Sequence, residues 1–341
     1  MTNDPPKQQN GHQEEGTFTV LLALAANIAV GVLKLIAGLV SGSGALLSEA
    51  AHSVGDSTTE VLLLVALRRS DRPADQRHPF GYGKERYFWS LLAAGAIFMS
   101  GAAFSIYEGL HTIFSSTEES TDMLWINYPV LVLAAVFEGT SFLQALRRAR
   151  TQARKSRKSL RGLLREPEDP TVNSVAMEDS AALVGIAIAL AGVALHQLTG
   201  SAIYDGIASL LIGVLLLFVA FVLARSTGDL LIGKQASLRL LSEVEAFLEN
   251  EGEIVDVVDV LSMLVGTNSV LLCVRADFVN EVSGGDLEEA CMRIDADLRA
   301  RFPELSEVFI QPVSRGDPRV EDRVKQRYGR ILSDRDIHAQ T

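Results

Sequence analysis

Residues 26–64 read ANIAVGVLKLIAGLVSGSGALLSEAAHSVGDSTTEVLLL, two long apolar runs joined by a Gly-Ser turn. A bilayer core roughly 30 Å thick needs about 20 mostly apolar residues in a helix. Extended to either side of the turn, the stretch predicts a tight antiparallel pair of membrane-spanning helices, 17–40 and 44–67. Four further segments of the same kind follow, 88–114, 124–146, 172–195 and 203–223, each bounded by polar, Gly or Pro-bearing residues. The chain therefore reads as an α-helical membrane protein with six transmembrane helices.

Loop charge orients these helices. The loop after the second carries Arg68, Arg69, Arg72, Arg77, Lys84 and Arg86. The loop after the fourth carries Arg147, Arg148, Arg150, Arg154, Lys155, Arg157, Lys158, Arg161 and Arg165. The opposite loops, SGSG, SSTEESTD and HQLTGS, hold no Lys or Arg. Basic loops stay in the cytosol, so both termini are expected there. The opening MTNDPPKQQNGHQEEG is polar and lacks the order of a signal peptide, which predicts a disordered cytosolic tail over 1–16. An Arg-rich chain without a targeting segment suggests a bacterial inner membrane.

Beyond the helices, residues 229–341 hold 22 acidic and 13 basic residues, so most of the net charge of −11 sits in a soluble C-terminal part. That balance argues against nucleic acid as a partner, since phosphates call for a basic surface. Leu240, Leu241, Val244, Phe247 and Leu248 recur at helical spacing; 254–264 is β-rich; Val270, Leu272, Val274, Ala276 and Phe278 alternate as in a half-buried strand. A second helix is expected to open at Asp286 with Glu289 as its capping-box acid, with the stripe Leu287, Ala290, Ile294 and Leu298. A strand at 308–310 closes the order α-β-β-α-β. The expected division is a tail 1–16, a transmembrane domain 17–225, a cytosolic domain 226–313 and a charged, loosely ordered end 314–341. Cys273 and Cys291 lack CxxC spacing and read as buried small residues without a disulfide framework.

Charge in a spanning helix is costly and marks function. In the second helix Glu49, His52, Asp56 and Glu60 are three, four and four residues apart, on one helical face. His52 and Asp56, one turn apart, can both reach a single cation. Imidazole with carboxylate suits Zn, Fe, Co, Ni or Mn better than Mg or Ca, which prefer oxygen alone. The fifth helix offers Glu178 and Asp179, about 100° apart on an unbent helix, of which Asp179 is the stronger ligand candidate. Glu138, near the middle of the fourth helix, is open to three roles: a further ligand, a proton carrier, or a partner for Lys34. Lys34 and Glu108 are expected near the membrane surfaces, where a long stem or an interface makes charge tolerable. Asn27 and Asp205 complete the polar residues of the spans.

The segment 26–64, with RHPFGYGKERYFWSLLAA at the third helix and YDGIASLLIGVLLL at the sixth, resembles the cation diffusion facilitator family, which includes the animal zinc transporters. Its Ser-Gly-Ser turn, the acid before the His, and His-x-x-x-Asp are all present. The tail from LLIGKQAS is similar to that family's α+β ferredoxin-like cytosolic domain. The resemblance implies a homodimeric transporter, not an enzyme, with no prosthetic group. It would export a divalent cation, zinc first among Zn, Mn, Fe, Co and Ni, by alternating access in exchange for protons. It also implies four ligands, often two His-x-x-x-Asp pairs, from the second and fifth helices. His52 and Asp56 match the first pair and Asp179 the acid of the second. The fourth position is Val175, which has no donor, so this chain looks like a divergent branch with Glu-Asp in its fifth helix. Water, Glu178, Glu49 or Glu138 would complete the shell. The tail's only His is His338, too little for a typical regulatory metal site.

Two other classes bear on the same residues. An intramembrane metalloenzyme would need a substrate-positioning set and an activated nucleophile, and the sequence offers neither. A membrane scaffold with a partner-binding cytosolic domain would carry these charges for structure alone and bind no metal.

Overall fold

A computed structural model describes residues 9–114, 121–155, 170–267, 269–280 and 283–328. Six long helical stretches and a small sheet account for most of it. Helix α1 spans Gln9–Ser41 and α2 spans Gly44–Ser70; α3 (Glu85–Ala96) runs through a π-helical stretch, Ile97–Ala103, into α4 (Phe104–Phe114). A 3-10 turn at Thr121–Ile126 leads to α5 (Asn127–Lys155), followed by α6 (Pro170–Thr199) and α7 (Ile203–Ile232). The expected tail 1–16 is thus helical from Gln9 onward. A helix once nucleated extends at little cost through residues such as QNGHQEEG, and Pro5 and Pro6 lie outside the described residues.

Among the described residues five helices are long and apolar enough to cross a membrane: Leu24–Ser41, Glu85–Phe114, Met123–Arg147, Met177–Thr199 and Ile203–Ile232. The sixth expected span, α2, has the length at 27 residues but not the composition. Its ionisable residues lower its hydropathy, and they turn inward: Glu49 and His52 are buried. Small residues let the helices approach, with Ala37, Ala45, Ala102, Ala134, Ala189 and Ala208 buried between them. Large apolar residues such as Leu39, Phe218 and Phe221 face outward, as lipid-facing positions do.

The turn between α1 and α2 has a specific lock. Gly42 takes a left-handed φ of 71°, open to glycine at little cost. Ser43 caps α2 by accepting from the N–H of Leu46 at 3.2 Å. Asp205 accepts from the Ser43 hydroxyl at 2.8 Å and from the N–H of Ala45 at 3.1 Å, placing a carboxylate at the positive end of α2. Asp205 is therefore a fastener between α2 and α7. Glu108 is half-buried, with its Cγ near Gly44, so it too lies inside the bundle.

The C-terminal unit has α8 (Leu238–Leu248), β1 (Ile254–Gly266), β2 (Ser269–Phe278), α9 (Gly284–Arg301) and β3 (Leu305–Pro312). This is the α-β-β-α-β order read from the sequence. The sheet runs β1-β2-β3, with β1 and β2 antiparallel and β2 and β3 parallel. Alternate residues of β2 are buried, and Val270, Leu272, Val274 and Ala276 meet Val244, Leu248, Ile294 and Leu298 in the core. Helix α9 starts two residues earlier than expected. Ser283 is its N-cap and accepts from the N–H of Asp286, because a hydroxyl placed before two flexible glycines reaches the first turn. The charged end is not uniformly loose, since Pro318–Tyr328 forms a further helix, α10, while 329–341 lie outside the described residues. Cys273 and Cys291 are unpaired and half-buried rather than buried.

The loop Arg69–Lys84 belongs to this second compact unit and not to the helical one. A boundary drawn only at 225/226 misses that. A Cβ on Gly83 would stand 2.5 Å from the carbonyl oxygen of Val265, so only glycine lets the loop backbone lie on the end of β1. Beside it the Lys84 ammonium donates to Met263 Sδ at 3.5 Å. Within the loop, Asp75 accepts from the N–H groups of Arg77 (2.9 Å) and His78 (2.7 Å) and from the Tyr82 hydroxyl (2.7 Å). The Tyr82 hydrogen bond, then those backbone donors, hold the Asp75 carboxyl below its ordinary range.

Candidate functional site

Helix α2 carries the polar face anticipated from its spacing. His52 Nδ1 lies 3.4 Å from Asp56 Oδ1, one turn apart. His52 is 2% exposed, and neither of its ring nitrogens nor Asp56 Oδ1 has a hydrogen-bond partner. Buried polar atoms are normally satisfied. Three orphaned donor atoms of one imidazole and one carboxylate, side by side, are chemically suited to a transition-metal cation.

Asp179, on α6, accepts a hydrogen bond from the Ser141 hydroxyl of α5 at 2.9 Å. Its charge acts on His52 and Asp56, so the three groups share one electrostatic neighbourhood. They do not share one coordination shell. Among the described residues no three His, Cys, Asp or Glu side chains converge closely enough to hold an ion together. The arrangement is a candidate ligand pair on α2, one imidazole and one carboxylate, with a second carboxylate on α6 in the same electrostatic neighbourhood.

The remaining candidates separate. Glu49 makes no direct bond to the pair, although its charge acts on both members; its Oε2 accepts from the Lys34 ammonium at 3.0 Å, with both side chains fully buried. Lys34 thus lies deep in the bundle, not near the membrane surface, because Glu49 and the Ser53 hydroxyl (3.0 Å) supply its partners. Of the three roles open to Glu138, partner of Lys34 by direct bond is not the one adopted. Its charge nevertheless acts on Lys34, His52, Asp56 and Asp179. Glu178 is half-buried and its charge couples to Asp56, Asp179 and Glu60. Glu60 accepts from the Asn27 side-chain amide at 2.6 Å. Val175 lies outside the residues whose side chains are described, as does His338.

Two contributors escaped the sequence reading. Ser141 stands three residues after Glu138, on the same face of α5, a spacing that could have flagged it. Gly55 is the second. A Cβ there would meet Ser100 Oγ at 2.9 Å, so the π-helical stretch packs closely beside Asp56. Such widened turns recur at functional sites.

The cation efflux transmembrane domain matches residues 20–232. The chain is 34% identical over 266 residues to metal tolerance protein C4 of Arabidopsis thaliana, covering 76% of this chain and 56% of that protein. It is 30% identical over 263 residues to the mitochondrial proton-coupled zinc antiporter SLC30A9 of Homo sapiens, covering 77% and 46%. Magnetosome protein MamB of Magnetospirillum gryphiswaldense is 37% identical over 98 residues, 29% of this chain and 33% of that protein. The chain spans about half the length of the first two relatives.

Proposed function

We propose, since this chain belongs to the cation efflux family, that it carries a divalent transition-metal cation across a membrane, with zinc as the first candidate, in exchange for protons. The observation that supports this most is the buried His52–Asp56 pair with its unpartnered donor atoms. Asp179 is the third ligand. It is reached when α2 and α6 draw together around the ion, and water or Glu178 fills the position that Val175 leaves empty.

Ligation needs His52 neutral and the carboxylates ionised, so metal binding and proton binding exclude each other at the same groups. The ion loads on the side of the basic loops, which we assign to the cytosol. On an acidic far side, protons take the ligands and the ion leaves. The protonated groups then return without an ionised carboxylate exposed to lipid, whose cost would otherwise oppose the return. Glu138, coupled to all three ligands, is the natural neighbour to take a proton within the same cycle. We assign the working unit as a homodimer in a bacterial inner membrane, with residues 17–225, apart from the 69–84 loop, forming the transport domain.

Zinc uptake into proteoliposomes containing the full chain tests the reading. An imposed inward-to-outward pH difference should accelerate uptake, and Asp56→Ala should abolish it while the protein stays folded. Uptake indifferent to the pH difference contradicts proton exchange. Uptake that persists in Asp56→Ala contradicts the site.

A further inference from the structure

The four ionisable groups of α2 ahead of its terminal Arg68 and Arg69 divide into an inner pair and an outer pair. The inner pair, His52 and Asp56, has both ring nitrogens and Asp56 Oδ1 unpartnered, whereas Glu49 and Glu60 each have one oxygen bonded and one unpartnered. The outer pair, Glu49 and Glu60, is held by α1. Asn27 and Lys34 are seven residues apart there, close to two turns, and so lie on one face. Asn27 donates to Glu60 at 2.6 Å and Lys34 donates to Glu49 at 3.0 Å. Lys34 is further fixed by Ser53 at 3.0 Å, whose hydroxyl donates to the backbone carbonyl of Glu49 at 3.2 Å. On its other side Glu49 abuts α6, with Oε1 occupying the space a Cβ on Gly185 would need. Glu49 is thus bonded through Oε2 to α1, while its Oε1, packed against α6, has no hydrogen-bond partner, one turn before His52.

We infer that Lys34 is a resident cation that keeps Glu49 out of the ion's shell and thereby sets the metal preference of the site. The inference rests on the proposed ligand set of His52, Asp56 and Asp179. One imidazole with two carboxylates favours borderline metals, and each added carboxylate moves a site toward harder ions such as Mn²⁺. A fixed ammonium acts twice. It occupies the nearest spare carboxylate, and its own charge opposes gathering more negative oxygen around the ion. Lys34 is a positioning residue, touching Glu49 and Ser53 and no ligand atom.

The test is competitive uptake of Zn²⁺ and Mn²⁺ into proteoliposomes by the full chain, read as a rate ratio rather than a rate. Lys34→Met keeps the bulk of the stem and frees Glu49; the Mn:Zn ratio should rise by roughly tenfold, the scale seen when groups behind a ligand are removed. Glu49→Gln should leave the ratio at its wild-type value, since Glu49 is not a ligand. The double variant Lys34→Met/Glu49→Gln should return the ratio to wild type, because the carboxylate that Lys34 held is itself gone; replacing both members of a buried pair is far milder than removing one. An unchanged ratio in Lys34→Met overturns the inference, as does a double variant that keeps the altered ratio. If Lys34→Met fails to fold, Glu49→Gln decides: a changed ratio there makes Glu49 a ligand and overturns it. Asp56→Ala, run alongside, separates this from the site itself: transport surviving in that variant overturns the ligand set and the inference with it, whereas lost transport there with an unchanged ratio in Lys34→Met overturns the inference alone.

Discussion

Glu49 Oε1 occupies the place where a Cβ on Gly185 would stand, so the carboxylate of α2 and the backbone of α6 meet with no side chain between them. These two helices carry His52, Asp56 and Asp179, and this contact lies between them. Gly185→Ala must push either the carboxylate or the helix aside. Overpacking of this kind costs about 1–3 kcal/mol. Thermal unfolding in detergent should show the loss, and adding Glu49→Asp, one methylene shorter, should recover part of it.

Asp179 depends on Ser141 for its orientation. Removing the hydroxyl with Ser141→Ala should leave the fold intact and weaken zinc binding by about tenfold, as loss of a ligand's supporting hydrogen bond does. Calorimetric titration of the purified chain measures this. Unchanged affinity would mean that Asp179 does not bind the ion in the orientation Ser141 gives it.

The Arg69–Lys84 loop is fastened to the β1–β2 hairpin through Gly83, and the atoms it meets are backbone atoms that cannot rotate away. Gly83→Ala should detach the loop. Hydrogen exchange should then quicken both in the loop and at the hairpin around Val265 and Gly266, with the core of β2 unchanged.

Acid should loosen the same loop. Asp75 is held below its ordinary range by the Tyr82 hydroxyl first and by the His78 and Arg77 backbone donors after it. A depressed folded value contributes order that is complete above the ordinary carboxylate pKa of about 4 and is lost as pH falls through the lower folded value. Loop protection followed by hydrogen exchange should fall in that acid range. Asp75→Ala should show low protection at neutral pH and no further acid step.

Much of this arrangement was legible in the chain. Lipid-length apolar runs marked five helices, and the alternation of Val270, Leu272, Val274 and Ala276 marked β2, because solvent on one side and core on the other leave a periodic trace. The spacing of His52 and Asp56 put them on one face, as found. What stayed hidden was pairing between helices. Lys34 reads as a surface residue until Glu49 and Ser53 are placed beside it, and nothing local in α1 says that α2 will supply them. Ser141 and Gly185 are ordinary residues in apolar helices, and their roles arise only from what lies opposite. The loop at 69–84 reads as a basic connector, and its attachment to β1 depends on a contact almost two hundred residues away in sequence.

The most direct test of the central claim is zinc binding to the purified full chain, compared among the wild type, His52→Ala, Asp56→Ala and Asp179→Ala. The account predicts a zinc site in the wild type that weakens as pH falls, and that is lost in each variant while helical content is retained. Wild-type zinc affinity in the His52→Ala and Asp56→Ala chains would contradict it.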